Sequence, residues 1–402
     1  MSMRSIRRFL LLAVLLVAGL ALSACSDDTK GEEQGQARQT LFVMMPWSGS
    51  DSDDGLYSFF LQNIADMKKG IEAGGGLSGC RLLVMLATSP REGRLFEITY
   101  ENGVAGEHSL GGCSSAQWLT TRGIAGLLNA VKAQAPAQSY AMIVGGHGVG
   151  WTHKDDWTHY PNRVMGIAGH GANRPQTRFF GSVEAPAQYG IDIESLAEAI
   201  GMAGVKMQYI LFDDCYMANV ETAYALRAAT HYLVGTTSEV MALGMPYDKM
   251  WPSLAANDYQ GMTTAFINFY GSYKFPYGAL SVVDCSKVAG LAGIMRQVNS
   301  RYAIDPASLD SVQTVDGFSP ALFYDMGDYV AHLCKDDTLK AQFDDWMGQV
   351  VRSCAFTPTL YSAISDSFIH LGAYSGLTIS DASVHPVALK GKEGTEWWAA
   401  TH

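Results

Sequence analysis

An α/β fold, with a mostly parallel sheet covered by helices on both faces, is predicted by three features of the sequence. Short apolar runs suited to buried strands alternate with segments of helical periodicity from Leu41 to Tyr302. Two of those runs end in chemistry-bearing residues. Tyr140–Val144 leads into Gly145-Gly146-His147-Gly148, and Tyr209–Phe212 leads into Asp213-Asp214-Cys215. In open α/β sheets, sites form at the C-terminal ends of the strands, where both sets fall. No internal repeat or Pro/Ser-rich linker divides the chain, and 402 residues suit one long α/β unit with short flanking parts.

Taken in order, residues 1–24 read as a signal peptide. Arg4, Arg7 and Arg8 form its basic part, Phe9–Leu22 its apolar core and Leu22-Ser23-Ala24 the small-residue cleavage site. Cys25 directly after the site fits a bacterial lipoprotein, with lipid on that cysteine. The apolar core is short for a bilayer span. Residues 25–39 are polar and carry Asp27, Asp28, Glu32 and Glu33, a composition that cannot bury enough to order itself. They read as an acidic tether, and acids after a lipidated cysteine suggest the outer membrane or cell surface.

The main domain is expected over residues 40–354. Leu41–Met45 reads as a strand, followed by helical spacing over Leu56–Ile71. Arg81–Ala87 and Leu95–Tyr100 read as strands, and Ser114–Ala133 as a helix before the strand that leads to His147. Ile193–Met202 is helical and precedes the cysteine strand. His231–Thr236 and Ala279–Val283 read as strands, with helices at Tyr247–Leu254, Met262–Tyr270, Val288–Tyr302, Asp325–Cys334 and Leu339–Cys354. Residues 355–402, with a strand at Gly376–Ser380 and Trp397-Trp398 near the end, read as a small extension packed on the main domain.

The formal net charge of −11 and the absence of any Lys/Arg cluster argue against a nucleic-acid partner. Export permits disulfides, and Cys80–Cys113 or Cys334–Cys354 are candidate pairs. His147, His153 and His159 recur every six residues, which fits no metal-ligand spacing. Asp51, Asp53 and Asp54 lack the other positions of a calcium loop. No cofactor is implied.

Cys215 lies between a buried strand and a helical pattern (Met217, Val220, Ala223, Tyr224, Leu226), where a helix N-terminus favours the thiolate. His147 between glycines has an open approach. Each has a plain structural reading, a small buried hydrophobe and a satisfied turn histidine. Together they make the minimum set for a thiol nucleophile and its base.

His147–Trp151 (HGVGW) and Asp213–Leu226 (DDCYMANVETAYAL) match the HG-x-GW and D-A-C-x-M-x-x-x-E-x-AY patterns of the clostripain family of cysteine peptidases, within the caspase-like superfamily. TLFVMMPWSGSDSDDGL from Thr40, SEVMALGMPYD from Ser238 and DMGDYV at Asp325–Val330 resemble the family more weakly. The resemblance spans roughly residues 40–335 and implies a caspase-like fold. It implies a Cys215–His147 dyad, with the amides of Gly148 and Cys215 as oxyanion donors. Gly148 suits that role because its amide, with no Cβ beside it, approaches a substrate closely.

The resemblance further implies that Asp213 lies in the S1 pocket and pairs with Arg or Lys of a peptide substrate, Arg being the bidentate partner. The alternative for Asp213 is a helix cap. Glu239 and Asp248, in the segment after the cysteine, are further S1 candidates. Asp214 departs from the family, which has a small residue there; a second acid raises the thiol pKa unless it faces solvent. Calcium dependence varies among relatives and stays open here. Relatives cut themselves between the two motifs, and Thr152–Gln188 is long and aperiodic. Autocleavage after Arg163, Arg174 or Arg178 is therefore expected. A contrasting reading is a catalytically silent surface lipoprotein of the same fold that binds peptide or glycan.

Overall fold

The strand Ala37–Met45 (β1) shows why the sheet needs two covers. Leu41, Val43 and Met45 enter one buried apolar cluster, and Phe42 and Met44 enter another. Side chains of a strand alternate between faces, so an apolar run buries both only if each face is roofed. The structure is a computed structural model that describes residues 36–157, 180–182 and 185–402. Cys25, the signal peptide, most of the tether, His159, His170, Arg163, Arg174 and Arg178 lie outside the described residues. Residues Ala37–His402 form one compact unit. Among the described residues no helix is long and apolar enough to cross a membrane.

The strands that follow are β2 (Cys80–Ala87), β3 (Glu92–Glu101), β4 (Val104–Ser114), β5 (Ala137–Gly145), β6 (Met207–Asp213), β7 (Thr230–Gly235), β8 (Ala279–Asp284), β9 (Tyr324–Asp325) and β10 (Val351–Phe356). All but β9 join one nine-stranded sheet, in the order β10-β8-β7-β6-β5-β1-β2-β3-β4. The central run β7-β6-β5-β1-β2 is parallel. Antiparallel strands finish each side, β3 and β4 at one edge and β8 and β10 at the other.

The helices Tyr57–Ala73, Tyr247–Ala256 and Tyr259–Tyr270 bury their apolar stripes on one face. Thr121–Gln134, Ile193–Met202, Val288–Asn299, Met326–Leu333 and Asp337–Val350 cover the other. The mostly parallel sheet with helices on both faces is therefore present. The C-terminal residues form the hairpin β11 (Thr359–Ser362) and β12 (Ser367–His370), then β13 (Thr378–Ile379) against β9.

Several elements differ from the sequence reading. Val104–Ser114 is a strand, built on the turn Asn102-Gly103 with φ of 51° and 87°. Ser114–Ala133 is not one helix: Thr120 is extended and caps Thr121–Gln134 by accepting from the Gly123 amide. The helix expected to reach Cys354 stops at Val350, and the chain turns into the edge strand β10. Neither candidate disulfide forms; all described cysteines are free. Cys113 lies opposite Gly93, which lies opposite Ala87, at the far end of β2 from Cys80. At about 3.3 Å per residue the two thiols are more than 20 Å apart.

Candidate active site

β5 and β6 are adjacent and parallel, with Gly145 in register with Asp213. His147 and Cys215 each follow two residues later, so neighbouring strand ends deliver the imidazole and the thiol to the same rim of the sheet. The loops touch. A Cβ on Gly148 would lie 2.8 Å from the Cys215 carbonyl oxygen and 2.9 Å from Asp214 Cβ. Only glycine permits that approach. Trp151 closes the histidine loop by donating from Nε1 to Ser380 Oγ at 2.9 Å, across the C-terminal segment.

The helix after the cysteine begins later than the sequence pattern suggested. It spans Val220–Ala225, and its cap is Asn219, whose side chain accepts from the Thr222 amide at 2.7 Å. Cys215 precedes that helix by five residues, so the helix N-terminus is not what faces the thiol. A backbone group takes its place. The Val240 amide donates to Cys215 Sγ at 3.3 Å, and the Val240 carbonyl lies 3.7 Å from the same sulfur. Cys215 is buried, packed with Val149, Trp151, Tyr216, Val240 and Phe323. An amide donor toward sulfur favours the thiolate.

Asp213 does not cap the helix. Its Oδ1 accepts from the Met245 amide at 3.0 Å and its Oδ2 from the Tyr247 phenol at 2.9 Å, and it is wholly buried. Asp214 is also wholly buried rather than solvent-facing. Its carbonyl accepts from Thr236 Oγ1 at 3.1 Å. Glu239 accepts from the Tyr216 phenol at 2.8 Å, from Ser362 Oγ and from the Ala363 amide at 2.9 Å. Burial pushes its carboxyl pKa up, against those donors. Asp248 sits elsewhere, half-buried beside Lys249 at 3.1 Å and against Gly70 of the helix Tyr57–Ala73. The structure thus draws His147, Gly148, Asp213 and Cys215 to one rim; Glu239 meets that rim through Tyr216, and Asp248 lies against the helix Tyr57–Ala73.

Two of the acids considered for a cation loop and one of the spaced histidines have ordinary partners. Asp51 accepts from the Tyr189 phenol at 2.7 Å and Asp53 from the Gly55 amide at 2.7 Å. His153 Nε2 lies 3.3 Å from Asp192 Oδ2, a pair the sequence spacing did not suggest. Among the described residues no group of three His, Cys, Asp or Glu is arranged to hold a metal ion. The residues that sequence reasoning missed at the rim are Val240, Met245 and Tyr247. All lie in the SEVMALGMPYD segment, whose resemblance to the family assigns a role only to its acids.

A model of the clostripain family matches residues 49–350. A secreted C11 cysteine protease from Bacteroides thetaiotaomicron, called iotapain, is 40% identical with a TM-score of 0.82, covering 91% of this chain and 99% of its own. A clostripain from the same species, solved with the peptide inhibitor BTN-VLTK-AOMK, is 47% identical with a TM-score of 0.54. It covers 56% of this chain and 99% of its own. An inactive zymogen C11 protease from Parabacteroides distasonis, 24% identical with a TM-score of 0.72 over 91% of this chain and 99% of its own, shares the fold. No curated protein matches significantly. The chain belongs to the clostripain family and is a cysteine peptidase with a caspase-like fold.

Proposed function

We propose that the chain is an endopeptidase that cuts after Lys or Arg, with Cys215 as nucleophile and His147 as its acid and base. The observation that carries this reading is the position of Asp213. A wholly buried carboxylate ends the strand that bears the cysteine and lies level with the strand end that bears the histidine. A buried carboxylate favours a cationic side chain over any neutral one. The 47%-identical clostripain was solved with an inhibitor whose AOMK group follows a lysine, which supports the same preference.

In the reaction so proposed, the Cys215 thiolate attacks the scissile carbonyl carbon. The amides of Gly148 and Cys215 donate to the oxyanion. His147 gives its proton to the leaving amine as the C–N bond breaks. It then takes a proton from the water that attacks the thioester, releasing the acid product and the thiol. Asp213 is assigned to S1 here; Glu239 and Asp248, the other candidates, are engaged by Tyr216, Ser362 and Ala363 and by Lys249. Fluorogenic peptides with Lys, Arg, Gln or Leu at P1, assayed on the compact unit from Ala37, test the reading. Cleavage restricted to Lys and Arg is expected, and equal cleavage of the Leu peptide would overturn it.

Two further parts of the reading rest on sequence alone. The chain is proposed to be held in the cell envelope by lipid on Cys25, and to cut itself after Arg163, Arg174 or Arg178. Membrane fractionation of wild type and Cys25→Ala checks the first, with release of the variant expected. Fragment N-termini from wild type and Cys215→Ala check the second. A wild type that stays intact and active removes self-cleavage without touching the peptidase.

A further inference from the structure

Tyr216, directly after the cysteine, has φ of 60°, in the left-handed region that a tyrosine rarely adopts. Such a conformation is strained and persists only where its surroundings hold it. Four contacts hold this one. The Tyr216 amide donates to the Ser238 carbonyl at 3.0 Å, and Asn219 Nδ2 donates to the Tyr216 carbonyl at 2.7 Å. The ring stacks on Phe323, with centroids 5.0 Å apart and planes at 16°. The phenol donates to Glu239 Oε1 at 2.8 Å.

The last contact is the one that reaches the sulfur. Glu239 lies between Ser238, whose carbonyl takes the Tyr216 amide, and Val240, whose amide donates to Cys215 Sγ at 3.3 Å. Its carboxylate is fixed independently by Ser362 Oγ and the Ala363 amide on the turn of the β11–β12 hairpin. A carboxylate anchored on one side and bonded to Tyr216 on the other joins two backbones, that of the cysteine turn and that of the Val240 segment. We infer that Glu239 and Tyr216 are a positioning pair, which holds the Cys215 turn in register with the Val240 amide so that Sγ meets its donor. Neither touches the reacting atoms. The Tyr216 phenol stays a donor across the working range, because burial drives its pKa well up. This inference rests on Cys215 being the nucleophile and gives Glu239 a task other than binding the P1 cation.

Tyr216→Phe removes the phenol oxygen, keeps the stack on Phe323 and changes no charge. Glu239→Gln keeps the shape of the side chain. The pH dependence of iodoacetamide alkylation, read by mass spectrometry on the peptide holding Cys215, follows the thiolate with no substrate present. In Tyr216→Phe the alkylation midpoint is expected to rise by about half a unit or more, as the Val240 amide loosens from the sulfur. Its kcat on a Lys peptide should fall about tenfold with KM near wild type, the scale of one lost hydrogen bond to a charged group. Glu239→Gln should lower kcat alike, but its alkylation shift also carries the removed charge, so direction is read from Tyr216→Phe. The double variant should be no worse than the poorer single one, because both break the same link. A wild-type alkylation curve and kcat in Tyr216→Phe, or effects that multiply in the double variant, would overturn the pair. The alkylation arm reads Cys215 even in a chain that cleaves neither Lys nor Arg peptides, so failure of the specificity reading and failure of this inference are separable.

Discussion

The Tyr247 phenol and Asp213 are both wholly buried, and the phenol donates to Asp213 Oδ2 across 2.9 Å. Met245 supplies the second donor from its amide. The acid proposed for S1 is therefore held from the segment after the cysteine, by one backbone amide and one phenol. Removing the phenol takes a hydrogen bond from a buried charged group, a loss of about 2 kcal/mol. Tyr247→Phe should lower the thermal midpoint by several degrees and raise KM for Lys peptides. An unchanged midpoint in differential scanning fluorimetry would show that the bond contributes little.

Asp213→Asn keeps the size of the side chain and removes the charge that a P1 cation would meet. The cost to Lys and Arg peptides should be about 3 kcal/mol or more, over a hundredfold in kcat/KM. Peptides with a neutral P1 residue should lose little. A variant that retains its preference for Arg would put the cation elsewhere.

Gly148→Ala should be strongly damaging. The new Cβ would meet the Cys215 carbonyl oxygen at 2.8 Å, an atom of backbone that has no rotamer to yield. Overpacking of this kind costs about 1–3 kcal/mol. The two loops must part, so activity should fall at least a hundredfold while circular dichroism stays native. Gly126, where a Cβ meets nothing within 4 Å, serves as the control: Gly126→Ala should keep full activity.

How far the sequence reached follows from what each feature is made of. The His147 and Cys215 strand ends are legible because each closes an apolar run and because HGVGW and DDCYMANVETAYAL pair them as a nucleophile and its base. The strand β4 is hard to read because its side chains are mostly exposed and follow no apolar alternation, and Asn102-Gly103 is the hairpin signal that marks it. The strand β10 was hidden by the spacing of Phe343, Met347, Val350 and Cys354, which keeps helical time past the real helix end. The grip of Val240 on sulfur and the left-handed turn at Tyr216 could not be read at all. They are backbone relations between segments, and no side-chain pattern encodes them.

A buried acid pair contributes to the pH response of stability. Glu221, on the helix after the cysteine, and Asp381, on the C-terminal segment, are pushed up by burial to about 8 and about 7. Glu221 is fixed by the Ser380 amide at 2.7 Å. A carboxyl raised in the folded state holds its proton where the unfolded chain has lost it. Its contribution is thus full below the ordinary carboxyl range near pH 4.5 and is lost as pH rises toward about 8. The midpoint of Glu221→Gln minus that of wild type should rise across that window, and a difference that stays constant from pH 5 to pH 8 would contradict the assignment.

The most direct measurement of the central claim is labelling with a peptidyl-Lys acyloxymethyl ketone, followed by mass spectrometry of every cysteine peptide. The sulfur proposed as nucleophile is almost fully buried, whereas Cys354 is exposed on an edge strand. Simple accessibility would therefore favour Cys354, and only the proposed site chemistry favours Cys215. The expected result is one label per chain, on Cys215, lost in His147→Ala and much slowed in Asp213→Asn. Label on Cys354, or label on Cys215 that is indifferent to His147→Ala, would contradict the account.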